Sequence, residues 1–168
     1  MTFYYTSKLC KSIKVSRATI LINSRPLSNK KRNILLKKSG ISFEGESIIT
    51  PPFFYEFGKI KLGCNVYINS GCTFLDNANI TIGAHSLIGP NVTLTTVSHP
   101  VAPKSRHAEV ITSSIEIGSN VWLGAGVVVL PGVTIGNNSV IAANSVVTSN
   151  VPDNSLFAGA PAIFKRNL

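Results

Sequence analysis

From residue 60 onward, large apolar residues recur every six positions, often with glycine directly after. The first run is Leu62-Gly63, Ile68, Phe74 and Ile80. After a two-residue slip it continues as Ile82-Gly83, Ile88-Gly89 and Leu94, and it resumes as Ile117-Gly118, Leu123-Gly124, Val129, Ile135-Gly136, Ile141 and Val147. Valine also holds the fifth position of several hexads (Val66, Val92, Val121, Val127, Val133). An amphipathic helix needs a period of about 3.6, which successive six-residue steps do not satisfy. The period is that of a parallel β-helix. Each hexad is a short strand plus a corner, three hexads close a triangular coil, and the apolar residue points inward onto its equivalents above and below. About twelve hexads predict roughly four coils, a prism about 19 Å long at about 4.8 Å per strand.

Residues 95–114 break the period between two regular blocks, and so long an insertion in a regular array points to a functional loop. Ahead of the repeats, residues 29–38 predict a short basic helix (Arg32, Ile34, Leu35, Leu36) ending at Gly40. Pro51-Pro52 then stops local structure and leads, extended, into the first coil. Residues 1–25, with Ile13, Val15 and Ile20-Leu21-Ile22, fit a strand, an amphipathic helix or a disordered arm. The organisation expected is a basic N-terminal arm and short cap over residues 1–58, followed by an all-β domain, the β-helix, over residues 59–168.

The 168 residues fit one domain, and 44% hydrophobic content supports a sizeable core. No apolar run approaches the roughly 20 residues of a membrane-spanning helix. Lys and Ser interrupt every apolar stretch before Ile20, so no secretory signal is expected. Three cysteines (Cys10, Cys64, Cys72) make no disulfide framework and fit free thiols in a reducing cytoplasm. The net charge of +9 is more informative once it is placed along the chain. Residues 1–43 carry Lys8, Lys11, Lys14, Arg17, Arg25, Lys30, Lys31, Arg32, Lys37 and Lys38 and no acid, a charge of +10. Residues 44–168 hold six bases and seven acids, a net of −1. A nucleic-acid-binding domain spreads basic and aromatic residues over its folded face, so no nucleic-acid partner is expected.

A set of local motifs narrows the function. They are Pro52-Phe53-Phe54-Tyr55-Glu56-Phe57-Gly58, Asn69, Leu75-Asp76, Ile88-Gly89-Pro90-Asn91-Val92 and Ser98-His99-Pro100. They continue as Asn120-Val121-Trp122-Leu123-Gly124, Pro131-Gly132-Val133, Ser145-Val146-Val147-Thr148 and Ala158-Gly159-Ala160-Pro161-Ala162. Through them the chain resembles, over about residues 30–166, the maltose/galactoside O-acetyltransferase branch of the hexapeptide acyltransferases. The resemblance implies a left-handed parallel β-helix, a homotrimer with active sites between subunits, and transfer of acetyl from acetyl-CoA to a sugar hydroxyl. The handedness comes from the resemblance alone and departs from the usual right-handed crossover.

The same resemblance assigns roles. The histidine matching His99 is the family's general base, and imidazole suits removal of a hydroxyl proton near neutral pH. The oxyanion would be met by the backbone N–H of Ala125 and by the amide of Asn69, which is otherwise an ordinary corner asparagine. Glu56 and Asn77 match sugar-contacting positions, Asn77 standing where the family commonly has an acid. Glu109 either orients the His99 ring or is an exposed loop charge. Trp122 would flank the mouth of the coenzyme groove, and Ala125, Ala143 and Thr148 match positions along the pantetheine arm. Plain repeat packing is the alternative for the two alanines. Ser149 and Ile163 replace a family Lys and Arg, which leaves Lys165 and Arg166 as partners for the 3′-phosphate.

Other residues read more blandly. His85 sits in a corner and His107 in the excursion, both facing solvent. Histidine spacings of 14 and 8 do not match the His-x4-His pair of the hexapeptide carbonic anhydrases, so no metal is expected. Cys64 and Cys72 lie within the repeats, which disfavours a covalent acetyl-enzyme and favours direct transfer in a ternary complex. Acetylation of a sugar amine or an antibiotic hydroxyl, and a non-catalytic trimeric scaffold, are the alternatives. His99, Asn69, Trp122 and the long excursion argue against the scaffold. The sequence leaves open galactosides, maltose-like sugars and lipid-linked or capsular glycans as acceptor. A cytoplasmic location is expected. Residues 1–28 either make a peripheral contact with anionic lipid or a phosphorylated glycan carrier, or form a solvated tail.

Overall fold

The computed structural model describes residues 11–168, so Lys8 and Cys10 lie outside it. Two helices come first, α1 (Val15–Ser24) and α2 (Asn29–Lys38), the second with the bounds the sequence predicts. The undecided stretch before it is therefore helical from Val15, with Ala18, Leu21 and Ile22 as its buried stripe. α1 ends where Arg25 turns extended ahead of Pro26, and α2 ends at Gly40, whose φ of +116° favours glycine.

The strands then wind as coils. The first coil is β1 (Ser42–Phe43), β2 (Ile48–Ile49) and β3 (Phe53–Tyr55). The second is β4 (Ile60–Leu62), β5 (Tyr67–Ile68) and β6 (Cys72–Leu75), and the third β7 (Ile80–Ile82), β8 (Leu87–Ile88) and β9 (Thr93–Thr95). A hairpin of β10 (Val97–Ser98) and β11 (Ile111–Thr112), antiparallel, occupies the break in the period. The fourth coil is β12 (Ile115–Ile117), β13 (Trp122–Leu123) and β14 (Val128–Val129), and the fifth β15 (Thr134–Ile135), β16 (Val140–Ile141) and β17 (Val146–Val147). A partial sixth ends in β18 (Ser155–Ala158), which pairs antiparallel with β19 (Ile163–Asn167).

Stacked coils make three parallel sheets: β1-β4-β7-β12-β15, β2-β5-β8-β13-β16-β18 and β3-β6-β9-β14-β17. This is the left-handed parallel β-helix, all-β apart from two short helices. The periodic residues form its three inner columns. Leu62, Ile82, Ile117 and Ile135 stack in the first sheet. Ile49, Ile68, Ile88, Leu123, Ile141 and Phe157 stack in the second, and Tyr55, Phe74, Leu94, Val129 and Val147 in the third. The two-residue slip at Ile80/Ile82 is a three-residue strand with both ends turned inward.

The stack is longer than the roughly four coils expected. It begins at Ser42, before the first regular hexad, and spans about 24 Å from β2 to β18 at about 4.8 Å per step. From the second coil on, the corner before the second sheet takes a left-handed residue, and Asn65, His85, Asn120, Asn138 and Asn154 supply it with φ between 54° and 62°. His85 thus stands in an asparagine column and is exposed, as expected.

An open first coil would present an unpaired strand edge. The helices close it with side chains. Asn23 exchanges two hydrogen bonds with the main chain of Phe53, both at 3.0 Å. Asn29 and Asn33 donate to the Ser47 carbonyl at 2.9 and 2.8 Å, and Arg32 donates to those of Ile49 and Leu27. Ala18, Leu21, Ile22, Leu35 and Leu36 then join the β-helix core, all 4% exposed or less.

Candidate active site

The outer faces of the prism differ. On the first sheet the outward column is polar: Lys61, Thr81, Glu116 and Thr134. On the second it is apolar: Ile48, Tyr67, Leu87, Trp122, Val140 and Leu156. Along this second face and the corner that follows it runs a groove of about 650 Å³, lined by Asn69, Pro90, Trp122, Ala125 and Ala143 among others. Coils approach closely there. A Cβ on Gly124 would lie 2.5 Å from the Ala143 nitrogen.

Two donors of the groove lining have no hydrogen-bond partner among the described residues. Asn69 Oδ1 accepts the Ser70 N–H at 2.8 Å, which turns the side-chain NH₂ away and leaves it unpaired. The Ala125 N–H also meets no acceptor among the described residues. Trp122 stands 54% exposed on the wall. Arg166, on β19, lies opposite the groove residue Leu156, while Lys165 beside it is exposed.

The remaining expected residues occupy another edge, the corner after the third sheet. Glu56 follows β3, Asn77 follows β6, and His99 follows β9 and β10. Successive coils place these corners about 5 Å apart. Asp76, fully buried, accepts the N–H groups of Glu56 at 2.7 Å, Phe57 at 3.1 Å and Lys59 at 2.7 Å. Thr96, equally buried, accepts the Ala78 N–H at 2.9 Å and donates to the Leu75 carbonyl at 2.8 Å. Asn77 Oδ1 is buried with no hydrogen-bond partner among the described residues, and the Asn77 main-chain carbonyl accepts from the Lys59 ammonium at 2.6 Å. Thr148 and Ser149, both exposed, follow β17 on the same edge, beyond the hairpin.

His99 is exposed at the base of the loop, and its ring is held by main chain. Nδ1 lies 3.1 Å from the Arg106 carbonyl and 3.3 Å from the Glu109 carbonyl. Carbonyls only accept, so Nδ1 carries a proton, and in the neutral ring the lone pair is on Nε2. Glu109 reaches the ring through its backbone, not its exposed carboxylate. Among the sulfur groups, Cys72 donates to the Gly89 carbonyl at 3.2 Å, and burial pushes its thiol up to about 11. It is no thiolate nucleophile near neutral pH.

One chain therefore brings together Asn69, Trp122, Ala125 and Ala143 at one edge, and Glu56, Asn77 and His99 at another. Tyr67 and Leu87 in the groove wall were not singled out from sequence, and Asp76 was marked only as part of a motif, not as the builder of the Glu56 turn. The first two had a signal, since they stand one residue before the periodic Ile68 and Ile88 and so point outward.

Residues 114–149 match the family model for the bacterial transferase hexapeptide (six repeats). The chain is 41% identical over 137 residues to a galactoside O-acetyltransferase of Lactococcus lactis, covering 80% of this chain and 66% of that one. It is 42% identical over 141 residues to the galactoside O-acetyltransferase of Escherichia coli, covering 83% and 70%. The matched segments thus span about two thirds of the length of these two relatives. A hexapeptide-repeat acetyltransferase from Vibrio cholerae, solved with acetyl coenzyme A, superposes with a TM-score of 0.87 at 41% identity, covering 92% of this chain and 85% of that chain.

Proposed function

Since the chain belongs to the hexapeptide-repeat acetyltransferases of the galactoside O-acetyltransferase type, we propose that it moves acetyl from acetyl-CoA to a hydroxyl of a sugar or glycan by direct attack in a ternary complex. The observation that carries the mechanism is the His99 ring, whose Nδ1–H points at two carbonyls and whose Nε2 is left basic. As the acceptor oxygen bonds to the thioester carbon, Nε2 takes the hydroxyl proton. The tetrahedral oxyanion is met by the Ala125 N–H and the Asn69 amide NH₂, both unpaired among the described residues. Collapse breaks the carbon–sulfur bond, and the imidazolium returns the proton to the departing CoA thiolate.

The split between two edges supports a homotrimer with active sites between subunits. A base and oxyanion donors must meet within about 3 Å of one reacting carbon, while within one chain the third sheet separates them. The His99 edge of one subunit against the groove of its neighbour meets that need. Glu56 and Asn77 then contact the acceptor, and the apolar groove with Trp122, Ala125 and Ala143 takes the pantetheine arm. Thr148, Ser149 and Arg166 complete the coenzyme contacts.

His99→Ala tests the proposal. The variant keeps its oligomeric state and melting temperature and loses acetyl transfer by about 10²–10⁴. Turnover within a few-fold of the wild type removes His99 from the chemistry.

A further inference from the structure

The positive segment read from the sequence is, over its described part, not a tail. Residues 11–43 hold nine bases and no acid, and they fold as the two-helix cap that closes the first coil. Arg32 is engaged by main-chain carbonyls. Lys11, Lys14, Lys30 and Lys37 are exposed on the cap.

Beside them lies apolar surface that no part of the described chain covers. Ile20, on the outward side of α1, is 66% exposed, Phe54 is 45% and Phe57 is 53%. Ile20 and Phe54 border one groove of about 460 Å³ between α1 and β3, whose far end reaches Glu56 and Phe57 on the acceptor edge. Ile20 also borders a second groove of about 420 Å³ together with Arg17, Leu21 and Arg25. Aliphatic, aromatic and cationic side chains are thus interleaved at one end of the prism, while residues 44–168 have a net charge of −1.

We propose that this capped end is a docking surface for an anionic lipid bilayer. Charge complementarity selects the partner's sign, because a cap with nine bases and no acid is drawn to a negatively charged leaflet. The apolar side chains select a bilayer over other polyanions. Ile20 and Phe54 gain from burial at the headgroup–acyl boundary, and a nucleic acid offers an aliphatic residue no such phase. The arrangement is that of an interfacial contact, for no helix among the described residues is long and apolar enough to cross a membrane. Lysines near the surface act within a Debye length of about 8 Å at physiological salt. The inference does not depend on the acetyl-transfer reading.

The test is co-sedimentation of the full chain with vesicles of phosphatidylcholine containing about one quarter phosphatidylglycerol, at about 0.1 M and about 0.5 M salt. The wild type partitions onto these vesicles at low salt and is released at high salt. Lys11→Glu, Lys14→Glu and Lys30→Glu together lower partition at least about tenfold, since each such lysine contributes a factor of about five. Ile20→Ser lowers it about threefold and leaves the salt dependence unchanged. Melting curves check that the variants are folded, and the salt response of the wild type stands independently of them. Equal partition onto pure phosphatidylcholine, a triple variant that partitions like the wild type, or equal binding to double-stranded DNA at the same salt overturns the proposal. Acetyl transfer to a soluble sugar stays at the wild-type level in these variants. Its absence even in the wild type, with lipid partition intact, counts against the enzymatic reading alone.

Discussion

The Asp76 carboxylate holds Glu56 from one coil away, accepting its main-chain N–H at 2.7 Å from a fully buried position. The same carboxylate takes the N–H groups of Phe57 and Lys59, so the turn that presents Glu56 is built by the next coil. Asp76→Asn replaces one acceptor oxygen with a donor that faces an N–H. A buried donor then goes unpaired, at a cost of about 1–3 kcal/mol. If Glu56 contacts the acceptor, KM for the sugar rises several-fold while KM for acetyl-CoA holds. Denaturant melts and separate KM measurements check both parts. A parallel rise in the two KM values would mean only that the fold has loosened.

Asn69 has its oxygen fixed by the Ser70 N–H, which leaves the NH₂ as a preorganised donor in the groove that Ala125 also lines. Asn69→Ala is expected to lower kcat by about 10²–10³ with little change in either KM, the usual loss on removing one oxyanion donor. Asn69→Asp should be at least as slow, because it brings a negative charge where one must develop. Retention of more than about a third of the wild-type kcat by the alanine variant would return Asn69 to the rank of a corner residue.

The β-helix was legible because one apolar residue per hexad lands on the same inner column in every coil. The first coil obeys the same rule, Phe43, Ile49 and Tyr55 being six apart and stacked on Leu62, Ile68 and Phe74. Pro51-Pro52, directly before β3, breaks the run of strand-like residues there. α1 was ambiguous for another reason. A ten-residue helix is marginal alone, and what fixes it is distant in sequence: the Asn23–Phe53 pair and burial of Leu21 and Ile22 on the first coil. The His99 support was beyond sequence reasoning, since any residue at positions 106 and 109 supplies a carbonyl. The separation of His99 from Asn69 depends on which of three corners each occupies. That phase is masked by the excursion and the slip at Ile80/Ile82.

Burial acts on Cys72 and Tyr55 in the same direction. It pushes the Cys72 thiol up to about 11 and the Tyr55 phenol up to about 12, the latter although its hydroxyl shares a hydrogen bond with Ser39. Both folded groups hold their protons more tightly than the unfolded chain does. Their contribution to stability is therefore complete below about pH 9 and is lost as pH rises through about 11 to 12. Melting temperature measured against pH should fall on that alkaline flank, and Cys72→Ala should make the early part of the fall shallower. Alkylation at pH 8 should leave Cys72 unmodified and transfer intact. Inactivation by labelling at Cys72 would reopen a covalent route.

Arg166 tests how the coenzyme is held where two expected cations are missing. Ser149 and Ile163 are neutral, while Arg166 sits on β19 opposite Leu156, itself part of the apolar groove wall. A guanidinium there suits a terminal phosphate, and a charge-assisted contact of that kind is worth about 1.5–3 kcal/mol, or roughly tenfold or more in affinity. Arg166→Ala should raise KM for acetyl-CoA about tenfold with kcat nearly unchanged. The sharper comparison uses the acetyl thioester of 3′-dephospho-CoA. The wild type should prefer acetyl-CoA over it by about the same factor, and the variant should lose that preference. Lys165→Ala, one residue away, should lose less of it, because an ammonium gives a single point charge rather than a fork of donors. A preference that survives in both variants would place the 3′-phosphate away from β19, against the cations of another subunit.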